Sequence, residues 1–127
     1  MIDSDLTRQV LLGLTALVFA ALALRTWWVP DTVARELGYG MSDANGYSEL
    51  HAIYVGLWLM HAALGVWAAL HVDQAVLGDI LALLLLGQPL GRLIAVPRYG
   101  LPRGPLLAFF ALEVIGGLAL LAVRPGD

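Results

Sequence analysis

The sequence predicts an all-α integral membrane protein: four transmembrane helices in an antiparallel bundle, with a short interfacial helix in the first loop. Three observations lead there. Hydrophobic residues are 60% of the chain and charged residues 13%, whereas a soluble domain is about half apolar and a quarter charged. The mean hydropathy is +0.81. Four apolar runs, each able to cross a hydrocarbon core about 30 Å thick, are separated by short polar or Gly/Pro-rich links. At 127 residues the chain suits one domain, with spans expected near 10–28, 47–70, 76–96 and 105–123.

Met1 to Gln9 is a polar head with Asp3, Asp5 and Arg8, and Val10 to Trp28 is almost unbroken apolar sequence. A signal peptide is the rival reading, because Ala21-Leu22-Ala23 resembles a cleavage site. The head is acidic, however, and the run continues to Trp27 and Trp28, which suit the membrane interface. The first run is therefore expected to be a retained span. Pro30 to Gly38 has the marks of a short surface helix: Pro early, Arg35 and Glu36 late, Gly38 as the stop. Asn45 is the expected N-cap of the second span. From Asn45 to Leu70 a helix would be about 39 Å long, so it must tilt or protrude. The tight link His71-Val72-Asp73-Gln74 makes the second and third spans antiparallel neighbours. Pro89 lies inside the third span. Pro97 to Pro102 reads as a turn, and Arg124 to Asp127 as a tail.

All seven basic residues are arginine, cysteine is absent and the net charge is −3. Disulfides, thiolate chemistry and cysteine-bound metals are excluded, and nucleic acid is not an expected partner. Arg25, Arg35, Arg98 and Arg103 flank loops one and three, against Arg8 and Arg124 on the other side. The positive-inside rule then places loops one and three in the cytoplasm and both termini outside, in a multi-pass protein of a bacterial inner membrane.

Four ionisable residues fall inside apolar sequence. Arg25 is about a turn from the end of the first span, Glu49 opens the second, Arg92 nears the end of the third, and Glu113 is roughly 12 Å into the fourth. Because the chain alternates direction, all four share one leaflet, and their charges sum to zero. A charge at mid-bilayer costs roughly 2.5–3.5 kcal/mol on insertion scales, so a shared internal cluster is expected. Small residues support it. Glu49, Ala52, Ile53, Gly56, Met60 and Ala63 form one stripe; Gly87, Gly91 and Ala95 form a ladder beside Gln88 and Arg92; Gly116 and Gly117 follow Glu113.

The candidate ligand site is thus Glu49, Arg92 and Glu113, assisted by Arg25, His51, Tyr54, Gln88 and Asn45. Its bland counterpart is a set of structural ion pairs that hold helix register. His61, on the stripe Tyr54, Trp58, His61 and Gly65, is a candidate haem ligand, although a histidine there more often bonds a neighbouring helix. No cofactor is otherwise expected, and no metal motif is present. Asp79, near the start of the third span, suits the helix dipole.

The stretch Asn45-Gly-x-Ser-Glu49-x-x-Ala52-x-Tyr54, followed by Gly91-Arg92, Gly100-Leu101-Pro102 and Glu113, resembles a bacterial family of small four-helix membrane proteins catalogued as a domain of unknown function. The resemblance runs from about Trp28 to the end of the fourth span and implies a fold without an activity. Two positions depart from it: His51 stands in place of an arginine, and Tyr99 in place of an aspartate. The functions to be weighed are binding of an amphiphile, acid–base isomerisation or hydrolysis of a lipophilic substrate, and an accessory or assembly role with structural charges only. The expected partners are the bilayer, an amphiphilic small molecule, and a second copy or a larger membrane complex.

Overall fold

A computed structural model describes residues 4–125, and within them the chain is all helical. Four helices are long and apolar enough to span a membrane: α1 (Ser4–Trp28), α3 (Ala44–Leu70), α4 (Ala75–Tyr99) and α5 (Pro105–Ala122). The short α2 (Pro30–Glu36) occupies loop one. The protein is a multi-pass membrane protein. Asp3 of the polar head and the last two residues of the tail lie outside the described residues.

The helix ends follow local chemistry. Pro30 opens α2, and Gly38, at φ +81°, ends the turn beyond it in a conformation that other residues rarely adopt. The N-cap of α3 is Asp43, not the expected Asn45. Asp43 is extended (φ −154°) and its carboxylate accepts from the Gly46 N–H at 3.1 Å, while Asn45 already lies in the first turn. The third span also differs from expectation, since α4 continues through Pro97 to Tyr99 before Gly100 (φ +82°) stops it.

Lipid tails are as apolar as leucine, so helices in a bilayer associate through close packing and polar contacts. Here α1 packs chiefly on α3, and α4 chiefly on α5, while α1 and α5 touch over a shorter stretch. Glycine permits the close approach in each pair. A Cβ on Gly65 would sit 3.0 Å from Ala16 Cβ and 3.2 Å from the Leu12 carbonyl of α1. A Cβ on Gly117 would meet Leu86 Cγ at 2.6 Å and the Ala82 carbonyl of α4 at 3.2 Å. The core between the pairs is Leu12, Ala16, Phe19 and Ala23 of α1, Trp58, Ala62 and Ala68 of α3, Leu81, Ala82 and Leu85 of α4, and Leu120 of α5. Gly116 and Gly117 do face α4, as expected. The Gly87 and Gly91 ladder does not pack inside the bundle: both residues are exposed, with open space where a Cβ would stand.

The inward face of α3 is likewise a correction. Glu49, Ala52, Ile53, Gly56, Met60 and Ala63 are all exposed, and the buried face is Leu50, Trp58, His61, Ala62, Gly65 and Ala68. The cause is the choice of packing face: the side carrying Trp58, His61 and Gly65 meets α1, which leaves Met60 and Ala63 on the far side, and a π-helical segment, Ala52–Leu57, interrupts the periodicity between that face and Leu50. On an uninterrupted helix at about 100° per residue, positions eight apart such as Leu50 and Trp58 would diverge by about 80°. The wider π turn brings them onto one face.

At the end of the bundle that carries the chain termini, Arg8 is only 1% exposed. It donates from Nη1 to the Leu120 carbonyl at 2.8 Å, and from Nη2 to the Ala75 carbonyl at 2.8 Å and to Asp79 Oδ1 at 3.0 Å. Leu120 O belongs to the last turn of α5, whose carbonyls have no partner within the helix, so Arg8 caps that helix from a neighbouring one. Arg124 Nε closes the group on Asp79 Oδ2 at 2.6 Å. The guanidinium lies against Gly78, where a Cβ would collide with it. Asp79 is therefore an ion-pair partner and not only a favourable charge on the helix dipole.

Two stability results follow, each measurable by unfolding titration in detergent. Gly117→Leu should lose about 1–3 kcal/mol by overpacking α4 against α5, whereas Gly87→Leu, facing open space, should change stability by less than about 0.5 kcal/mol. Asp79→Ala should cost about 3–5 kcal/mol because it strands the buried Arg8 charge. Arg8→Met should cost less, about 1–3 kcal/mol, since Asp79 keeps Arg124; the reverse order would contradict this account.

Candidate functional site

Loop three, with Gly100 and Gly104 both at positive φ, turns α4 back into α5. Arg92 and Glu113 lie at similar distances from it, roughly 11–12 Å along their helices, so the antiparallel pairing sets them side by side. Arg92 Nη1 donates to Glu113 Oε2 at 2.5 Å, and Arg92 Nη2 reaches Gln88 Oε1 at 3.5 Å. Both charged side chains are mostly shielded, at 22% and 13% exposure. A charge-assisted bond of this length in a medium with little water keeps the pair together and neutral overall.

Tyr54, within the π segment of α3, is near enough to feel both charges. Its hydroxyl shares a 3.2 Å hydrogen bond with the Tyr39 hydroxyl of loop one. Its ring stands edge-on to Trp58, with centroids 5.0 Å apart at 87°. The expected cluster is thus assembled around Arg92, Glu113 and Gln88, with Tyr54 beside it.

The other expected members go elsewhere. Arg25 turns to the end of α2 and makes a two-pronged pair with Glu36, Nη1 to Oε2 at 2.8 Å and Nη2 to Oε1 at 2.6 Å. A partner eleven residues away in a short docked helix outcompetes one across the bundle. The bond from Arg25 holds the Glu36 carboxyl below its ordinary range, so this clamp loosens only as the pH falls through that lowered range. Together with Tyr47 Oη donating to Asp31 Oδ1 at 2.6 Å and the burial of Val33 and Ala34, it fastens α2 to the bundle.

Glu49 is exposed and does not join Arg92 and Glu113. It lines a separate open cavity of about 350 Å³ at loop one, with Tyr39, Met41, Leu50 and Tyr54. It stands on the outward side of the first turns of α3, away from the buried Leu50. His51 lies with its Nδ1 2.7 Å from the Tyr47 carbonyl of its own helix, and Asn45 is exposed in the first turn. His61 is 4% exposed, with Nδ1 2.7 Å from the Leu57 carbonyl and its ring 4.9 Å from that of Phe19. Its hydrogen bond is to its own helix while its ring packs on Phe19 of α1, and a haem would have to displace that packing.

Between α1 and α5, where contact is thinnest, a groove of about 230 Å³ opens. Its walls include Leu11, Val18, Phe19, Leu22, Leu85, Phe109 and Leu112, and Glu113 supplies a carboxylate to them. Thr15 also lines the groove, but its hydroxyl is spent on the Leu11 carbonyl at 2.7 Å. Trp58, 7% exposed, borders both this groove and a cavity of about 20 Å³ beside Thr26 and Phe109. The Trp58 indole N–H finds no acceptor on the described residues.

Residue reasoning missed Trp58 as a polar group and missed the Arg8–Asp79–Arg124 group. For the second a signal existed: Arg8 near the start of α1, Asp79 near the start of α4 and Arg124 just past α5 share a leaflet by the same alternation that pairs Arg92 with Glu113.

Neither curated proteins nor solved structures gave a significant match to the chain. A family profile described as a domain of unknown function (DUF4345) matches residues 7–123, in agreement with the expected membership of a family of that kind. The chain thus belongs to the DUF4345 family.

Proposed function

We propose that this membrane protein binds an amphiphile, with its apolar body in the groove between α1 and α5 and its polar head at the Arg92–Glu113 pair. One observation carries this reading: an apolar groove open toward the lipid is lined at one point by Glu113, a carboxylate paired with Arg92 and mostly shielded from water. Intramembrane ionisable residues usually serve function, and a neutral pair beside an apolar groove suits a headgroup that carries hydrogen-bonding groups without net charge. Binding is favoured over acid–base catalysis, because, among the described residues, Glu113 is the one titratable side chain lining the groove, with no second group there to take the complementary acid or base role. Glu49, Asn45 and His51 stand apart from this site, so the ligand-binding set contracts to Arg92, Glu113, Gln88 and Tyr54.

We further infer the orientation expected from the arginine bias, in the inner membrane of a bacterium. Burial of Arg8 in ion pairs strengthens the bias, leaving Arg35, Arg98 and Arg103 exposed beside loops one and three against the paired Arg124. Single cysteines placed at Arg35 and Arg103 should resist a membrane-impermeant maleimide in intact cells and react after lysis; labelling in intact cells would reverse the orientation.

For the binding reading, native mass spectrometry of the purified chain should show a retained lipid. Gly116→Leu, which fills the groove without touching a charge, should reduce retention at least tenfold. The uncharged double variant Arg92→Gln with Glu113→Gln should do the same while leaving helix content unchanged. Retention equal to the parent in both variants would rule the reading out.

A further inference from the structure

The cavity at loop one, separate from the groove, has a chemistry of its own. On α3, Gly46, Glu49 and Ile53 are spaced by three and four residues and so share a face, and all three line the cavity beside Tyr54. Loop one supplies the remaining wall, with Tyr39 and Met41. The two tyrosine hydroxyls meet at 3.2 Å, and their rings stand 6.3 Å apart at 58°. Met41 is seated over Gly46, where a Cβ would stand 3.3 Å from its Cε. Glu49 is exposed, and its carboxylate has no hydrogen-bond or ion-pair partner among the described residues. The two arginines within the spans of this leaflet are committed elsewhere, Arg25 to Glu36 and Arg92 to Glu113. Among the described residues the cavity is therefore lined by one negative charge, two aromatic rings and a thioether, and by no cation.

We propose that this cavity binds an alkylated ammonium group, of the quaternary type that choline carries. Glu49 supplies the counter-charge, and the rings of Tyr39 and Tyr54 and the polarizable sulfur of Met41 receive the N-methyl groups. At about 350 Å³ the cavity is in the range of small-ligand sites. A divalent metal ion fits poorly, since calcium takes about six to eight oxygens and the cavity offers one carboxylate and a pair of phenols. A primary ammonium is compact and strongly hydrated, so water serves it better than an open aromatic wall does. Spreading the charge over methyl groups weakens that hydration and lets the ligand pack on the rings. The site shares Tyr54 with the groove reading and does not rest on it.

The test uses the full chain in nonionic detergent micelles and titrates choline against its uncharged carbon isostere, 3,3-dimethylbutan-1-ol, by ligand-observed NMR. The parent should bind choline about tenfold more tightly, the combined effect of the carboxylate and the rings at an open site. Glu49→Gln should erase that preference, and as an exposed substitution it should leave the unfolding midpoint in place. Tyr39→Leu should weaken choline about fivefold, and Tyr39→Phe, which keeps the ring, should restore most of the loss. Equal binding of the two probes by the parent, or a preference that survives Glu49→Gln, overturns the proposal; so does Tyr39→Phe as weak as Tyr39→Leu. Native mass spectrometry with dioleoylphosphatidylcholine then separates two sources of the same group. Lipid retention that Glu49→Gln abolishes supports a membrane headgroup. Retention unmoved by Glu49→Gln, beside choline binding that is lost, supports a soluble ligand.

Discussion

Arg8 is the point through which three parts of the chain are tied. Its guanidinium answers a last-turn carbonyl of α5, a first-turn carbonyl of α4 and the Asp79 carboxylate, from a position in α1 with 1% exposure. A buried ion pair adds little net stability over an apolar replacement, because desolvation offsets most of the attraction. What it does supply is discrimination, since a register shift of any one helix leaves a charge or a carbonyl unanswered in lipid. Gly78 belongs to the same device, since a Cβ there would occupy the space of the guanidinium. With the helix ends held there, the opposite end of the bundle is free to carry a looser arrangement.

The groove runs between these ends, along α1 from Leu11, about one turn from Arg8, to Leu22. Tight pairing through Gly65 on one side and Gly117 on the other makes two compact halves, α1 with α3 and α4 with α5. The seam between α1 and α5 has no such close contact, and aromatic and aliphatic side chains line it. Glu113 lies on this seam, and Arg92 reaches it from α4 because α4 and α5 are antiparallel neighbours joined by a short loop. Loop one closes over the same end by separate means: the Arg25–Glu36 clamp, the Tyr47–Asp31 bond and the contact of the Tyr39 and Tyr54 hydroxyls. The end of the bundle that carries function on this reading is therefore held by exposed and replaceable bonds, and the other end by buried ones.

The π segment links these features. It rotates the inner end of α3 so that Leu50, Tyr54 and Trp58 share a face, which puts the phenol beside the charged pair and the indole at the groove wall. Glu49 stands outside that face, and the cavity it lines at loop one is distinct from the groove. Segments of this type persist where the surrounding packing favours them over a regular helix, and often where a side chain has a task. Tyr54 and Trp58 are the side chains whose placement here depends on it.

The sequence by itself determined how many helices cross the membrane, where they turn, and how deep each charged residue lies. Depth follows from counting along a helix at a fixed rise, and leaflet follows from the alternation of direction, so the meeting of Arg92 with Glu113 was legible. The Arg8–Asp79–Arg124 group was legible by the same count but was hidden by its nearness to the helix ends, where charges ordinarily meet water. Rotation about each helix axis belonged to the tertiary structure. The π turn reset the phase of α3 between Leu50 and Trp58, Glu49 took the outward face, Gly87 and Gly91 were left facing away from the bundle, and Arg25 took the partner in α2. Rise along a helix is set by backbone hydrogen bonds that every residue makes alike, whereas azimuth is set by which side chains pack on which neighbour. Only the assembled bundle contains that second kind of information.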